Sequence, residues 1–239
     1  MTGATSRGVA VPETIERRGE RARLASWRVD GGVAHLSPAA MRPLSADFVG
    51  SCLDALRARG FTFVVTSALS EAESSGFLRA GFDVQEQLEL LAHDLNAIPA
   101  VTARLRRPRR RERPRVLTVD TAAFETFWRL HQGGLDDALG ATPAVRFRVH
   151  GRGQGIDSYV IGGRGAGTGY VQRLAVHPDA RGRGLGRSLV GDVLQWMRRH
   201  GASRALVNTQ RTNLAALALY RACGFRVLPE GLQVLARAL

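Results

Sequence analysis

Leu174-Ala-Val-His-Pro-Asp-Ala-Arg-Gly-Arg-Gly-Leu-Gly-Arg-Ser-Leu189 decides how the rest of the chain is read. An apolar strand-like run ends at Pro178. Gly182, Gly184 and Gly186 follow at alternate positions, and an amphipathic segment begins at once. Strand, Gly-rich loop and helix N-terminus are the physical recipe for an anion site, the rival reading being a tight turn alone. Glycines let backbone N–H groups approach a phosphate, and the helix dipole favours negative charge there. Arg181, Arg183 and Arg187 add guanidinium forks suited to phosphate oxygens. The spacing is neither a GxxxxGK[ST] loop, which a chain without lysine cannot contain, nor a GxGxxG dinucleotide fingerprint.

Downstream of the loop, Leu185, Leu189, Val193 and Met197 recur every fourth residue, and Gly201 stops the predicted helix. A short apolar strand at 204–207, a second helix and Gly224-Phe225 follow. Upstream, residues 144–149 and 156–161 read as strands around a Gly-rich turn, and 162–169 is a second such turn.

The same order occurs earlier in the chain. Leu44, Phe48, Cys52 and Leu56 form an apolar helical row at an offset of 141 from the later one. Leu44, Val49, Gly50, Leu53, Arg57 and Gly60 are identical to their counterparts at that offset. A strand at 61–65, a helix around Phe77 and an apolar stretch at 88–91 complete the parallel, the last matching 232–235. The chemistry is missing from this copy: Ala40, Met41, Pro43 and Ser45 stand opposite Arg181, Gly182, Gly184 and Gly186, and at a later offset of 142 Leu78 stands opposite Tyr220. Proline offers a phosphate no N–H.

Composition narrows the classes. The 239 residues are 44% hydrophobic and 23% charged, with no apolar run near the ~18 residues of a membrane span. Residues 1–10 lack the apolar core of a signal peptide. Cys52 and Cys223 are too few for a disulfide scaffold or a four-cysteine zinc site, so no metal is expected. A cytoplasmic location is the expectation. All 34 basic residues are arginine, and the net charge is +13. Residues 104–115 alone hold eight arginines, one glutamate and two prolines. They read as a solvated, extended connector, or else as a contact for nucleic acid or anionic lipid. The run has no aromatic residue to stack on bases, which argues against nucleic acid.

The quoted stretch resembles motif A of the GNAT acetyltransferases, whose core [QR]-x-x-G-x-[GA] is here Arg181, Gly184 and Gly186. A second motif agrees: a strand, Asn213, Ala-Leu-Tyr at 218–220, then Gly224-Phe225. The resemblance is good over 116–239 and worn over about 26–95. It implies an α/β fold, a mixed β-sheet flanked by helices, in a pseudo-duplicated arrangement of two halves. The expected layout is a tail at 1–25, a degenerate half at 26–100, the arginine linker at 101–115 and an active half at 116–239.

The resemblance also implies roles. Acetyl-CoA would be the co-substrate. Leu174, Ala175 and Val176 would pair with its pantetheine arm, and the Val176 N–H would stabilise the oxyanion. Backbone donors from Gly182, Arg183, Gly184, Leu185, Gly186 and Arg187, with Ser188 closing the set, would hold the pyrophosphate beside Arg181. Tyr220 would protonate the departing thiolate, a phenol of pKa ~10 beside a thiol of ~8.5, or else simply pack in the core. Asn213 is an N-cap that also reaches the cofactor, or an N-cap alone. His177 reads as structural. Gln172 and Arg173 stand where relatives often place a base, yet neither is a carboxylate, and Asp157 is a weak substitute. The acceptor would be a primary amine, of a small molecule or of a protein N-terminus, since the second motif is similar to bacterial protein N-terminal acetyltransferases. Homodimer formation stays open, as do two rival readings: an acyl-CoA-binding regulatory module and a nucleic-acid-binding protein.

Overall fold

The computed structural model describes residues 13–27, 32–39 and 42–239. Ala40 and Met41, matched above to Arg181 and Gly182, lie outside the described residues, as does most of the expected tail. In chain order the elements are β1 (Glu13–Arg17), β2 (Glu20–Ser26), β3 (Val33–Pro38), α1 (Ala46–Ala58), β4 (Phe63–Thr66), α2 (Glu71–Arg79) and β5 (Asp83–His93). Then come β6 (Leu105–Arg106), α3 (Arg113–Ala123), α4 (Gln132–Gly140), β7 (Ala144–His150), β8 (Ser158–Gly165) and β9 (Thr168–Val176). The chain ends with α5 (Leu185–Arg199), β10 (Arg204–Gln210), α6 (Leu214–Ala222), β11 (Arg226–Val227) and β12 (Leu232–Ala238). None of the described helices is long and apolar enough to cross a membrane.

Two compact units result, Met1–Glu89 with Glu230–Leu239, and Leu90–Pro229. In the first, β1, β2 and β3 form an antiparallel meander, and β3 pairs in parallel with β4. The C-terminal strand β12 lies antiparallel to β4 and to the start of β5. The apolar row expected from the sequence is buried: Leu44, Phe48, Cys52 and Leu56 are at most 2% exposed. They pack with Val64, Phe77 and Leu235 in one core. Burial pushes the Cys52 thiol up to about 11, the mark of an inert core cysteine.

The second unit repeats the order. β7, β8 and β9 form an antiparallel meander, and β9 pairs in parallel with β10. Side chains alternate across this sheet. Val160 and Val171 join α5 and α6 in one core, while Tyr159, Ile161 and Ala175 join α3 and α4 in another.

Three boundaries differ from the sequence reading. Residues 13–26 are two strands of the first unit rather than tail. Residues 104–115 hold a strand, a 3-10 turn and the start of α3 rather than an extended connector. The second unit begins at Leu90, and the last strand of the chain completes the first unit instead. Strands pair through their backbones, so a strand's composition does not say which sheet it joins.

Candidate functional site

The site grows from a divergence in the second sheet. β9 and β10 pair only at Thr168–Arg204, Gly169–Ala205 and Tyr170–Leu206, although β9 runs on to Val176 and β10 to Gln210. A bulge precedes the unpaired part: Ile161 faces Arg173 and Gly162 faces Val171, leaving Gln172 as the extra residue. Beyond it, the His177 N–H donates to the Asp157 carbonyl at 2.7 Å. Peptide groups alternate sides along an antiparallel strand. Those of Leu174 and Val176 therefore turn away from β8, toward the open edge.

The open edge leads into the Gly-rich loop. Gly182 and Gly184 have φ of +75° and +74°, a conformation that L side chains rarely adopt. Arg181, Gly182, Arg183 and Gly184 are exposed. Ser188 N–H is the first of the helix to find a partner, the Gly184 carbonyl at 3.0 Å. The N–H groups of residues 182–187 make no hydrogen bond among the described residues, a row of free donors at the positive end of a 15-residue helix. Gly186 has a different use. A Cβ there would lie 3.0 Å from Leu219, so this glycine lets α5 approach α6.

The arginines divide. Arg181 is exposed with no partner among the described residues. Arg183 leans on Asp157 at 3.6 Å, a weak, mostly exposed pairing that a phosphate can displace. Arg187 caps α6 through the Ala222 carbonyl at 2.8 Å. Ser188, expected to close the cofactor-binding set, has its side chain engaged elsewhere. Its hydroxyl is 2.9 Å from Thr102 Oγ1 and accepts from the Thr102 and Ala103 N–H groups, and the residue is 1% exposed. Leu185 is likewise in the core and offers the loop only its N–H, whereas the Ser188 N–H is already given to the Gly184 carbonyl.

Asn213 is the N-cap of α6, its Oδ1 accepting from the Ala216 N–H at 3.1 Å. Tyr220, three residues before Cys223, is buried and sets its ring edgewise against Phe225. Its hydroxyl makes no hydrogen bond among the described residues. Burial drives its pKa well above the ordinary phenol value, so it holds its proton at every working pH. Burial raises the Cys223 thiol too.

Of the residues considered as a base, Asp157 alone is a carboxylate, and one of its oxygens is engaged. Gln172 turns its amide nitrogen to Thr142 at 3.3 Å, leaving Oε1 buried without a partner. Asp157 is held by His150 Nδ1 at 2.8 Å and by the Ser158 hydroxyl at 3.1 Å. His177 rests against Asp179 at 3.5 Å, beside the loop.

Arg173 reaches a residue that sequence reasoning missed. Its Nε and Nη2 donate to Asp120 at 2.8 and 2.9 Å, and Nη2 also donates to the Trp128 carbonyl at 2.6 Å. Its guanidinium lies 3.5 Å from the centre of the Phe124 ring. Asp120, 0% exposed, also accepts from the Tyr159 hydroxyl and from the Leu130 N–H. One saturated carboxylate thus ties α3, β8, β9 and residues 124–130 together beside the open edge. The nearest signal in the sequence is an aspartate 53 residues from its arginine, which is no local signal at all.

Residues 145–225 match the model of the Acetyltransferase (GNAT) family. A mycothiol acetyltransferase from Beutenbergia cavernae is 36% identical over 85 residues, 35% of this chain and 29% of that protein. An aminoglycoside N(6')-acetyltransferase type 1 from Stenotrophomonas maltophilia is 33% identical over 67 residues, 28% of this chain and 44% of that protein. The chain therefore spans less than half the length of these curated relatives. Among solved structures, a tandem GNAT protein from the clavulanic acid biosynthesis pathway aligns with a TM-score of 0.65 at 16% identity, over 93% of this chain and 81% of that one. A GCN5-related N-acetyltransferase from Kribbella flavida aligns with a TM-score of 0.64 at 14% identity, over 94% and 89%. At such identities the likeness is one of fold: a mixed sheet flanked by helices, in two halves.

Proposed function

We propose, from the match of residues 145–225 to the GNAT acetyltransferase family model, that this protein transfers an acetyl group from acetyl-CoA to a primary amine by direct attack. The observation that carries this reading is the open edge of β9 running straight into the free N–H groups of residues 182–187. An extended pantetheine arm needs the first, and a pyrophosphate needs the second.

In this reading Leu174 and Val176 offer the arm their unpaired peptide groups. Arg181 is the cation ready for phosphate oxygens, and Arg183 joins it on leaving Asp157. The amine attacks the thioester carbonyl, and the Val176 N–H stabilises the oxygen that gains charge. The carbon–sulfur bond then breaks, and Tyr220 passes its proton to the leaving sulfur. Burial holds that proton more tightly than an ordinary phenol would, but the thiolate would form in the same dry surroundings and be equally short of water. The proton lost by the amine goes to solvent, and solvent returns a proton to the Tyr220 phenolate; Asp120 is saturated by Arg173, Tyr159 and Leu130.

Acetyl-CoA titrated into the protein, followed by a panel of amines with free CoA release as the signal, tests this reading. Binding and release with at least one amine are expected. A folded protein that fails to bind acetyl-CoA refutes it.

A further inference from the structure

The arginine excess has a place in the fold. Residues 90–229 hold 23 arginines against 9 acids, while the rest of the chain holds 11 against 12. A genome-wide preference for arginine would act on both alike, so the imbalance calls for a local cause.

Within the run at 104–115, the one acid is turned inward. Glu112 is 9% exposed and takes Arg106 on both oxygens at 2.8 and 2.7 Å. It also accepts from the N–H groups of Arg109 at 2.7 Å and Gly153 at 2.9 Å, and Arg106 Nε donates to the Gly151 carbonyl at 2.9 Å. Arg104, Arg107, Arg109, Arg110 and Arg111 are left exposed, with no acidic partner among the described residues. Arg152 is exposed on the 151–155 loop that Glu112 grips.

That loop lies at the reaction end of the sheet. Leu105 faces His150, His150 faces Ser158, and Ser158 faces Val176, one row across four strands. Three strand spacings of ~4.8 Å put Leu105, where the arginine ridge begins, ~15 Å from Val176. An extended polypeptide covers that span in about four or five residues.

We propose that the acceptor is an acidic polypeptide: its amine sits at Val176, and carboxylates about four or five residues away pair with the ridge formed by Arg104, Arg107, Arg109, Arg110, Arg111 and Arg152. This rests on the transferase reading above and names its substrate class. Guanidinium forks match carboxylates in pairs, and the ridge has no aromatic platform for stacking bases, so protein is favoured over nucleic acid.

The test is anisotropy with a labelled peptide that has a free N-terminal alanine and four aspartates from its fifth residue. A serine-for-aspartate peptide and a single-stranded RNA of equal charge are the controls. The aspartate peptide should bind at least about tenfold more tightly than the serine peptide. Arg109→Glu/Arg110→Glu/Arg111→Glu should abolish that difference, and the milder triple change to Gln should reduce it if the reversal misfolds. Equal binding of both peptides overturns the proposal, as does RNA binding more tightly than the aspartate peptide. Calorimetry with acetyl-CoA on the same protein separates the two levels. Normal acetyl-CoA binding with indifferent peptides sinks only the acidic acceptor; absent acetyl-CoA binding sinks the transferase reading and this proposal with it.

Discussion

The carboxylate of Glu20 sits on the N-terminus of α1, accepting from the Ser45 N–H at 2.5 Å and from the Ser45 hydroxyl at 2.8 Å. Ser45 stands opposite Gly186 at the 141-residue offset, so the first unit carries its own anion where the second unit has free donors. β3 extends only two residues past its pairing with β4, and the last is Pro38, so among the described residues no comparable open edge exists there. Calorimetric titration is expected to give one acetyl-CoA per chain; two equivalent sites would refute this. Glu20→Gln should lower stability by about 0.5–1 kcal/mol, the scale of an exposed charge at a helix N-terminus, measured by urea denaturation.

Gly184→Glu places a carboxylate among the donors of residues 182–187. Acetyl-CoA affinity should fall by at least ~2 kcal/mol, the scale of losing hydrogen bonds to a charged group. Because φ is +74° at this position, Gly184→Asn is the control: it tolerates that backbone and adds no charge. Equal losses in both variants would point to backbone strain rather than charge.

Tyr220→Phe removes a hydroxyl that leaves no partner behind, so the melting temperature should stay within about 2 °C of the wild type. Turnover should fall about 10²-fold with little change in the Michaelis constant for acetyl-CoA. The raised pKa adds a signature: the wild type should show no alkaline loss of activity from this residue up to the ordinary phenol value of ~10. Wild-type turnover in the Phe variant would leave protonation of the thiolate to solvent.

Asp120→Asn leaves the Arg173 guanidinium buried without its counter-charge. Breaking a buried pair from one side costs about 3–5 kcal/mol, and replacing both members with apolar groups is close to neutral. Asp120→Leu/Arg173→Met should therefore be markedly more stable than Asp120→Asn in chemical denaturation. If the double variant is the less stable of the two, the pair does more than satisfy itself.

Glu112 titrates far below an ordinary carboxylate because Arg106 and the N–H groups of Arg109 and Gly153 all bind its charged form. The folded state thus binds its proton less readily than the unfolded state. Its contribution is present in full above about pH 4.5 and declines as the pH falls below that value. Thermal melts from pH 7 to pH 3 should show a steeper acid loss for wild type than for Glu112→Gln, which starts lower at pH 7. Parallel curves would show that Glu112 does not drive the acid sensitivity.

The Gly-rich loop before α5, the amphipathic helix in each unit and the N-cap at Asn213 were legible in the sequence. Each is encoded by neighbours within one or two helical turns: glycines where φ is positive, apolar residues at helical spacing, a cap before the first turn. Tertiary structure decided the rest. The use of Ser188 against Thr102, the closing of the first unit by β12, the burial of Asp120 under Arg173, and the folding of the arginine run around Glu112 each join residues remote in sequence or redirect a side chain with two available uses. Local periodicity fixes which face of an element is apolar; only packing in three dimensions chooses what that face, or the single acid within a basic run, will meet.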